Sequence, residues 1–316
     1  MTSASLNAGG NLLVVVGPTS VGKTALSLEL ADTFAGEIIS GDSMQVYRYM
    51  DIGTAKATPA ERAQIPHHLI DLKDPDEAFS VDEFQRLARQ TIAEVQSQSH
   101  LPMIVGGTGL YIQSVTHGYQ LPEVKEDPSF RTEMNQLADE KGQEVLHNLL
   151  AAKDAQAAAR LHPNDRRRVI RALEIIKETG KPLAEVQQRE RSPYRICWIG
   201  LTMPRASLYE RINSRVEQMM EEGLLEEVIR LREMGYSRTL TSMQALGYKE
   251  LMLYLEGECS HSEAVEMIQQ GTRKYAKRQL SWFRRLPEIY WVDVSNEGFV
   301  REIHRHVAGN FPLYKE

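Results

Sequence analysis

The feature that most constrains this chain is a glycine-rich segment, GPTSVGKT, at residues 17–24. It is an uninterrupted match to the Walker A phosphate-binding loop. An apolar run over residues 12–16 precedes it and a helix-forming stretch over residues 25–31 follows it, which is the strand–loop–helix order that such a loop requires. Backbone N–H groups of the loop can surround a diphosphate, the ammonium of Lys23 can pair with it, and the hydroxyl of Thr24 can bind Mg²⁺. The predicted diphosphate ligands are Gly17, Pro18, Thr19, Ser20, Val21, Gly22, Lys23 and Thr24.

Length and composition suit one large domain or two moderate domains of a cytoplasmic protein. The 316 residues are 42% hydrophobic, which is enough to bury a sizeable core. No apolar stretch reaches the length of a membrane span, and the polar N-terminus carries no signal-peptide pattern. Cys197 and Cys259 are the only cysteines, which disfavours a disulfide framework or a zinc site. The net charge of −6 argues mildly against a nucleic-acid partner, but it conceals local basic segments.

The order of strand and helix signals predicts an α/β fold interrupted by a helical insertion. Strand-like runs alternate with helical stretches up to about residue 121, which is typical of a parallel sheet covered by helices. The sequence then becomes rich in Ala, Glu, Gln and Arg, and residues 122–192 are predicted to be an all-helical insertion between core segments 1–121 and 193–316. Outside the insertion the predicted strands are 12–16, 37–40, 102–105, 194–201 and 290–294, with long helices over 205–234 and 262–285 and capping boxes at Ser80–Glu83 and Ser260–Glu263.

Asp42 is the first candidate for chemistry, because it directly follows a predicted buried strand. Loops at the carboxyl ends of parallel strands form the ligand crevice of open α/β sheets, so its carboxylate could bind Mg²⁺ or act as a general base. The alternative is a local Asx turn or helix cap. The strand at 103–105 ends in GGTGLY, residues 106–111, without the acid that an ordinary P-loop ATPase carries there. This glycine loop is either a second set of backbone donors or a tight turn, and the two interpretations are compatible.

Two basic segments predict contacts with RNA. One is NDRRRVIR at residues 164–171, and the other is the last long helix, whose cations accompany Trp282. Phosphate contacts beside an aromatic ring suit RNA, whereas the alternative for each segment is a solvated surface helix. Arg211 and Arg215 project from one face of another helix and could bind phosphate or pair with acidic neighbours. The pair His67–His68 more readily packs in a loop than shares a metal, since adjacent residues of an extended segment point opposite ways.

Eight blocks in order resemble the bacterial tRNA dimethylallyltransferase family, which prenylates N6 of adenine. The resemblance covers nearly the whole chain. Its blocks are GPTSVGKT, SGDSMQVY, IGTAK (52–56), PHHLID (66–71), GGTGLY, NDRRRVIRALE (164–174), QALGYKE (244–250) and TRKYAKRQLSWFR (272–284).

The resemblance implies a P-loop kinase-like sheet whose loop holds dimethylallyl diphosphate rather than ATP. It implies a monomer that, with Mg²⁺, modifies the adenosine 3′-adjacent to the anticodon in tRNAs reading codons that begin with U. Asp42 matches the general base, Thr24 the Mg²⁺ ligand, and Arg215 rather than Arg211 a diphosphate ligand. The implied tRNA contacts are Asp42, Ser43, Met44, Gln45, Thr108, Arg166, Arg167, Arg168, Val169, Ile170, Gly247, Tyr248, Lys249, Glu250, Leu251 and Met252. To these the basic helix adds Arg273, Lys274, Lys277, Arg278, Trp282 and Arg284.

A second function class remains open at this point, namely a P-loop kinase that phosphorylates a small metabolite with ATP. Such a kinase needs a nucleotide pocket but no basic surface on the scale of an RNA. The sequence leaves open whether a nucleotide can also occupy the loop.

Overall fold

The computed structural model describes residues 10–122, 124–186, 190 and 192–311. The chain divides into two compact units, of which the first comprises Met1–Thr116 with Ser192–Glu316 and the second comprises His117–Arg191. These divisions fall close to positions 122 and 192, where the sequence changes character. Within the first unit a parallel sheet is covered by helices, as the α/β prediction requires.

Six strands form this sheet in the order β3-β2-β4-β1-β5-β6, and every paired neighbour is parallel. The strands are β1 Asn11–Val16, β2 Gly36–Ser40, β3 His67–His68, β4 Leu101–Gly106, β5 Arg195–Thr202 and β6 Tyr290–Asp293. Five of them occupy the predicted positions, and the two-residue edge strand β3 was not predicted.

The central strand β1 is apolar over residues 12–16 because both faces of the sheet are covered. Leu13 and Val15 pack into the hydrophobic cluster on one face, while Leu12, Val14 and Val16 pack into the cluster on the other. All five are fully buried. This two-sided burial fixes the strand, and the phosphate-binding loop begins directly after it.

The helices largely follow the predicted pattern. Before the insertion they are α1 Lys23–Thr33, α2 Pro59–Gln64, α3 Val81–Ser97 and α4 Gly109–Thr116. The second unit contains α5 Pro128–Lys141, α6 Gln143–Lys153, α7 Ala155–Arg160, α8 Arg166–Thr179 and α9 Leu183–Val186. The first unit then continues with α10 Arg205–Glu221, α11 Leu224–Glu233, the 3₁₀ helix Ser242–Gln244, α12 Tyr248–Leu255, α13 His261–Phe283 and α14 Phe299–Asn310.

One helix prediction was wrong in its extent. The stretch 205–234 is two helices, α10 and α11, because Gly223 adopts a left-handed conformation with φ of +98° that ends the first. At the start of α13 the capping box of Ser260 and Glu263 is present as predicted. At the start of α3 the Ser80 side chain accepts a hydrogen bond from the backbone N–H of Glu83.

The second unit has its own hydrophobic cluster, which includes Leu146, Leu150, Val169 and Leu173. It also buries Glu174, which accepts two hydrogen bonds of 2.9 Å from the guanidinium of Arg131. In neither unit is a helix of the described ranges long and apolar enough to cross a membrane.

Candidate active site

The loop between β1 and α1 is shaped by two glycines and a lysine. A Cβ on Gly17 would lie 2.8 Å from the carbonyl oxygen of Leu201, and Gly22 has a φ of +103°, so larger residues would strain the loop at either position. Lys23 donates hydrogen bonds to the carbonyl oxygens of Gly17 at 3.1 Å and of Pro18 at 2.8 Å. These bonds use two of the three ammonium donors.

A cleft of about 410 Å³ opens beside this loop and is rich in groups that bind anions. Arg211, Arg215 and Ser20 line it. The Ser20 hydroxyl is buried, and it has no hydrogen-bond partner among the described residues. A buried polar atom of this kind calls for a partner from outside the protein, and an anion in the cleft would supply one.

The charges of Lys23 and Asp42 each affect the pKa of the other group. Burial lowers the pKa of the Lys23 ammonium to about 8, the Asp42 carboxylate raises it, and the charge of Arg215 lowers it. Burial raises the pKa of Asp42, while the backbone N–H groups of Met44 and Gln45 and the charge of Lys23 lower it. The loop lysine, one cleft arginine and the carboxylate therefore belong to one site.

Asp42 also forms the Asx turn that the sequence left as its alternative role. Its Oδ1 atom accepts a hydrogen bond of 2.8 Å from the backbone N–H of Met44. A carboxylate has a second oxygen, so a turn and a chemical role can coexist in the same residue. The side chain is half-buried, as expected beyond the end of β2.

The glycine loop that follows β4 packs directly against the Asp42 loop. A Cβ on Gly106 would overlap the backbone of Gly41, so no larger residue fits there. The backbone N–H of Thr108 donates to Gly41 at 3.1 Å, and the Thr108 hydroxyl accepts from the N–H of Ser43 at 3.1 Å. Of the two interpretations of this loop, the tight turn against its neighbour is therefore present.

Helix α13 adds two side chains that the sequence analysis missed. Gln279 accepts a hydrogen bond from the backbone N–H of Thr19 at 2.9 Å and donates one to the carbonyl oxygen of Gly107 at 3.2 Å. Burial and the Asp42 carboxylate raise the pKa of the Tyr275 hydroxyl, while hydrogen bonds of the Thr108 and Gln279 side chains lower it. The only signal in the sequence is the place of Gln279 between Ala276 and Phe283 on the buried stripe of the helix.

A second buried carboxylate fixes the segment that continues from the Asp42 loop. Glu227 accepts hydrogen bonds from the backbone N–H groups of Asp51, Ile52 and Gly53, at 3.0, 2.9 and 3.3 Å. The Tyr248 hydroxyl also donates to it at 2.6 Å. This cluster explains the IGTAK block as a packing feature.

Most of the residues at 247–252, the implied tRNA contacts, are buried. Tyr248 and Leu251 are 0% exposed, Met252 is 2% exposed and Glu250 is 5% exposed. Gly247 is buried as well and Lys249 is half-buried, and the contact of this stretch with tRNA stays a prediction. Tyr248, Leu251 and Met252 pack helix α12 into a hydrophobic cluster.

Two of the predicted tRNA contacts on the basic helix α13 have partners within the protein. Trp282 packs against Gly109 and the hydrophobic cluster, so it does not lie on a solvent-facing basic stripe. Arg273 donates to Asn213 at 2.6 Å and lies over the ring of Tyr209. The predicted contacts that remain exposed on this helix and at its end are Lys274, Lys277, Arg278 and Arg284.

In the second unit the basic run is only partly available to a partner. Val169 and Ile170 are 0% and 5% exposed and belong to the hydrophobic cluster of the unit, and their contact with tRNA stays a prediction. Arg166 is bound to Asp139 at 2.8 Å and to the carbonyl of Asn135. Arg167 and Arg168 are exposed.

The pair His67–His68 lies at the edge of the sheet. His68 and His100 each contact the buried carboxylate of Glu37, at 2.6 Å in both cases. His67 contacts the carbonyl of Ile65 at 2.7 Å. Packing and hydrogen bonding account for both residues.

The side chains at this site could hold Mg²⁺ only together with a bound phosphate group. Thr24 lies exposed in the first turn of α1, and a hydroxyl oxygen suits this hard cation. Within the described ranges there is no group of three or more His, Cys, Asp or Glu side chains placed to hold a metal. Phosphate oxygens and water would therefore complete the coordination, as is usual for Mg²⁺ at phosphate sites.

A Walker A loop at the carboxyl edge of a parallel sheet, opposed by a carboxylate, defines a P-loop α/β protein. Comparison with known proteins identifies the family within this class. A family model described as IPP transferase matches residues 45–286, and the chain belongs to that family. The protein is thus a transferase, and this membership favours the first of the two function classes over a small-molecule kinase.

Curated relatives and solved structures agree over nearly the full length. The tRNA dimethylallyltransferase of Bacillus licheniformis is 51% identical over 308 residues, which cover 96% of this chain and 98% of that protein. The chain is also similar to the crystal structure of the tRNA isopentenylpyrophosphate transferase from Bacillus halodurans, with a TM-score of 0.72, 48% identity and coverage of 96% and 97%. A eukaryotic dimethylallyltransferase acting on tRNA matches with a TM-score of 0.80 and 29% identity, covering 97% of this chain and 80% of that one.

Proposed function

We propose that this protein transfers the dimethylallyl group of dimethylallyl diphosphate to N6 of the adenosine 3′-adjacent to the anticodon in tRNAs reading codons that begin with U. The carrying observation is that hydrogen bonds connect the phosphate-binding loop, through Gln279 and the glycine loop, to the loop of Asp42. The names of the relatives support transfer of a prenyl group to tRNA. The site contains the two groups of residues that this reaction needs, which are a diphosphate half that binds the leaving group and a base half that accepts the N6 proton.

The diphosphate half consists of the loop, Lys23 and the cleft arginines. Loop N–H groups at the start of α1 favour an anion, and Lys23 adds a full positive charge. Arg215 reaches the same site, since its charge acts on Lys23, which supports it over Arg211 as the diphosphate ligand. These groups stabilise the negative charge that builds on the leaving diphosphate.

The base half is centred on Asp42. The N6 lone pair is delocalised into the adenine ring, so the amine must be oriented and must lose a proton. In the proposed step N6 forms a bond to the allylic carbon, the carbon–oxygen bond to diphosphate breaks, and the N6 proton passes to the Asp42 carboxylate. The raised pKa of this half-buried carboxylate makes it a better proton acceptor than an exposed carboxylate.

Thr24 is the residue that would hold Mg²⁺, which when bound supplies further charge neutralisation to the diphosphate. Because the described residues offer little else to the ion, we propose that magnesium binds together with the diphosphate.

The tRNA surface is proposed from the exposed cations alone. On the first unit these are Lys274, Lys277, Arg278 and Arg284, and on the second they are Arg167 and Arg168. A flipped, single-stranded adenine in the anticodon loop would be presented to Asp42 at low unstacking cost. We further propose a cytoplasmic monomer, in keeping with a tRNA substrate.

The deciding experiment follows radiolabelled dimethylallyl diphosphate into unmodified tRNA, with and without Mg²⁺, and offers ATP separately. We expect label in the tRNA adenine, no phosphoryl transfer from ATP, and a steeper Mg²⁺ requirement in Thr24→Ala. Thr33→Ala in the same helix is a matched control, because the Thr33 hydroxyl is bound to the Glu29 carbonyl at the far end of α1. Absence of label in tRNA with the wild-type protein would refute the proposal.

A further inference from the structure

Gln279 is a buried polar residue of the first unit that the proposed chemistry does not use. It is 4% exposed, although it lies near the C-terminal end of a helix that carries many solvated cations. Buried glutamine is retained only where its amide is paired, because an unpaired amide is costly in the interior. Both ends of this amide are paired with backbone atoms of site loops, and the amide also bonds to the Tyr275 hydroxyl.

The first partner belongs to the diphosphate half of the site. The Gln279 oxygen accepts from the N–H of Thr19 at 2.9 Å, immediately before Ser20. Ser20 has a φ of +64°, a left-handed conformation that only a well-braced loop holds for a serine. The hydrogen bond thus holds the phosphate-binding loop at Thr19, one residue before Ser20, which lines the cleft.

The second partner belongs to the base half. The Gln279 amide nitrogen donates to the carbonyl of Gly107 at 3.2 Å, and a Cβ on Gly107 would overlap that nitrogen. The next residue, Thr108, holds the Asp42 loop through its bonds to Gly41 and Ser43. One side chain therefore connects the diphosphate loop, through the glycine loop, to the loop of the proposed general base.

We propose that Gln279 is a positioning residue that sets the register between the diphosphate and the general base. Its partners are backbone atoms of the two loops and the neighbouring Tyr275 hydroxyl, so it acts through the protein rather than on a reactant. The inference rests on the proposed prenyl transfer and adds to it a residue that acts through the loops. Loss of the Gln279 amide should reduce diphosphate affinity and turnover together, because both the phosphate-binding loop and the glycine loop are hydrogen-bonded to this one side chain.

The first test replaces the amide by an apolar side chain of similar length, Gln279→Met. Thr19 N–H and the Gly107 carbonyl then lose their partner, and each unpaired group shifts an equilibrium by about fivefold or more. We expect pyrophosphate affinity, measured by calorimetry, to fall about tenfold, and single-turnover prenyl transfer per folded molecule to fall by at least as much. The matched control is Gln270→Met on the same helix, where the glutamine is exposed and bound only to Lys274 in the described structure.

A second variant, Gln279→Glu, keeps the shape and tests the donor alone. The ionised glutamate can accept from Thr19 but has no proton for Gly107, whereas the protonated acid restores the pattern of the amide. Burial favours that protonated form. The ratio of variant to wild-type turnover should therefore rise as the pH is lowered from about 8.5 to about 6.

The outcomes separate the inference from the proposed function. If the wild-type protein neither binds pyrophosphate nor prenylates tRNA, the proposed function fails. If the wild-type protein does both, and Gln279→Met retains wild-type affinity and single-turnover rate per folded molecule, the positioning role is refuted. A turnover ratio for Gln279→Glu that stays flat with pH would likewise overturn it, because a merely space-filling glutamine has no donor to restore.

Discussion

Replacing Asp42 separates its two roles, because asparagine keeps one and removes the other. In Asp42→Asn the amide oxygen can still accept the hydrogen bond that Oδ1 takes from the Met44 N–H at 2.8 Å. The amide cannot take up a proton at neutral pH, so the general base is lost. In Asp42→Ala both the turn and the base are lost.

The magnitudes of the two roles are well separated. A neutral hydrogen bond such as that of the turn contributes about 1 kcal/mol. A general base contributes about 10²-fold to 10⁴-fold in rate, which corresponds to about 3–5 kcal/mol of barrier. We therefore expect Asp42→Asn to lose about 10²-fold or more in single-turnover rate, and Asp42→Ala to lose only a few-fold beyond that.

The assay is single-turnover prenyl transfer to an anticodon stem-loop with both substrates saturating. Binding of the RNA is measured separately, and it should change little because the exposed cations are untouched. The matched control is Asp82→Asn in α3, an acid in the first turn of a helix remote from the loop in sequence. Should Asp42→Asn retain a near wild-type rate while Asp42→Ala is inactive, the residue is a turn former and the assignment as base is wrong.

Three further predictions follow from the charges and the buried carboxylate. Because the pKa of Lys23 is lowered to about 8, its ammonium is lost as pH rises through that value, so pyrophosphate affinity relative to Lys23→Met should fall above about pH 8 in calorimetry. Replacing Arg167 and Arg168 by Gln should flatten the log–log salt dependence of tRNA binding by about 0.7–0.9 per lost phosphate contact, and an unchanged slope would assign them no such contact. Glu227→Gln puts an amide N–H against backbone donors, and urea unfolding should show a loss of about 2–4 kcal/mol that the exposed control Glu226→Gln does not show.

The sequence predicted the sheet and the loop well because their signals are local. Residues 12–16 of strand β1 are buried and therefore uniformly apolar, and the loop after the strand is defined by glycines at fixed spacing. The edge strand at His67–His68 escaped detection because two residues carry no periodicity. The break at Gly223 was missed because the residues on both sides continue the helical pattern of α10 and α11.

The site was predicted less completely, since several of its contacts are non-local. Thr19 and Gln279 are 260 positions apart, and Asp51 and Glu227 are 176 apart. No spacing rule connects such pairs. The family resemblance implied tRNA contacts at residues 247–252, and it could not indicate that most of these residues are buried in the protein.

Helix α13 shows that dividing a helix into a core face and a solvent face is not sufficient next to an active site. An amphipathic pattern separates a core face from a solvent face, and on α13 Ala276 and Phe283 are buried while Lys277 is exposed. The face that contacts the site loops belongs to neither class. It is buried, as a core face is, but its side chains must pair with polar backbone groups of the loops. Gln279 is buried and pairs with backbone groups of both loops, but because it is polar the sequence pattern assigns it to the solvent face. A polar side chain between two buried positions of a helix is therefore the sequence signal for such a third face, and here it identifies the link between two catalytic loops.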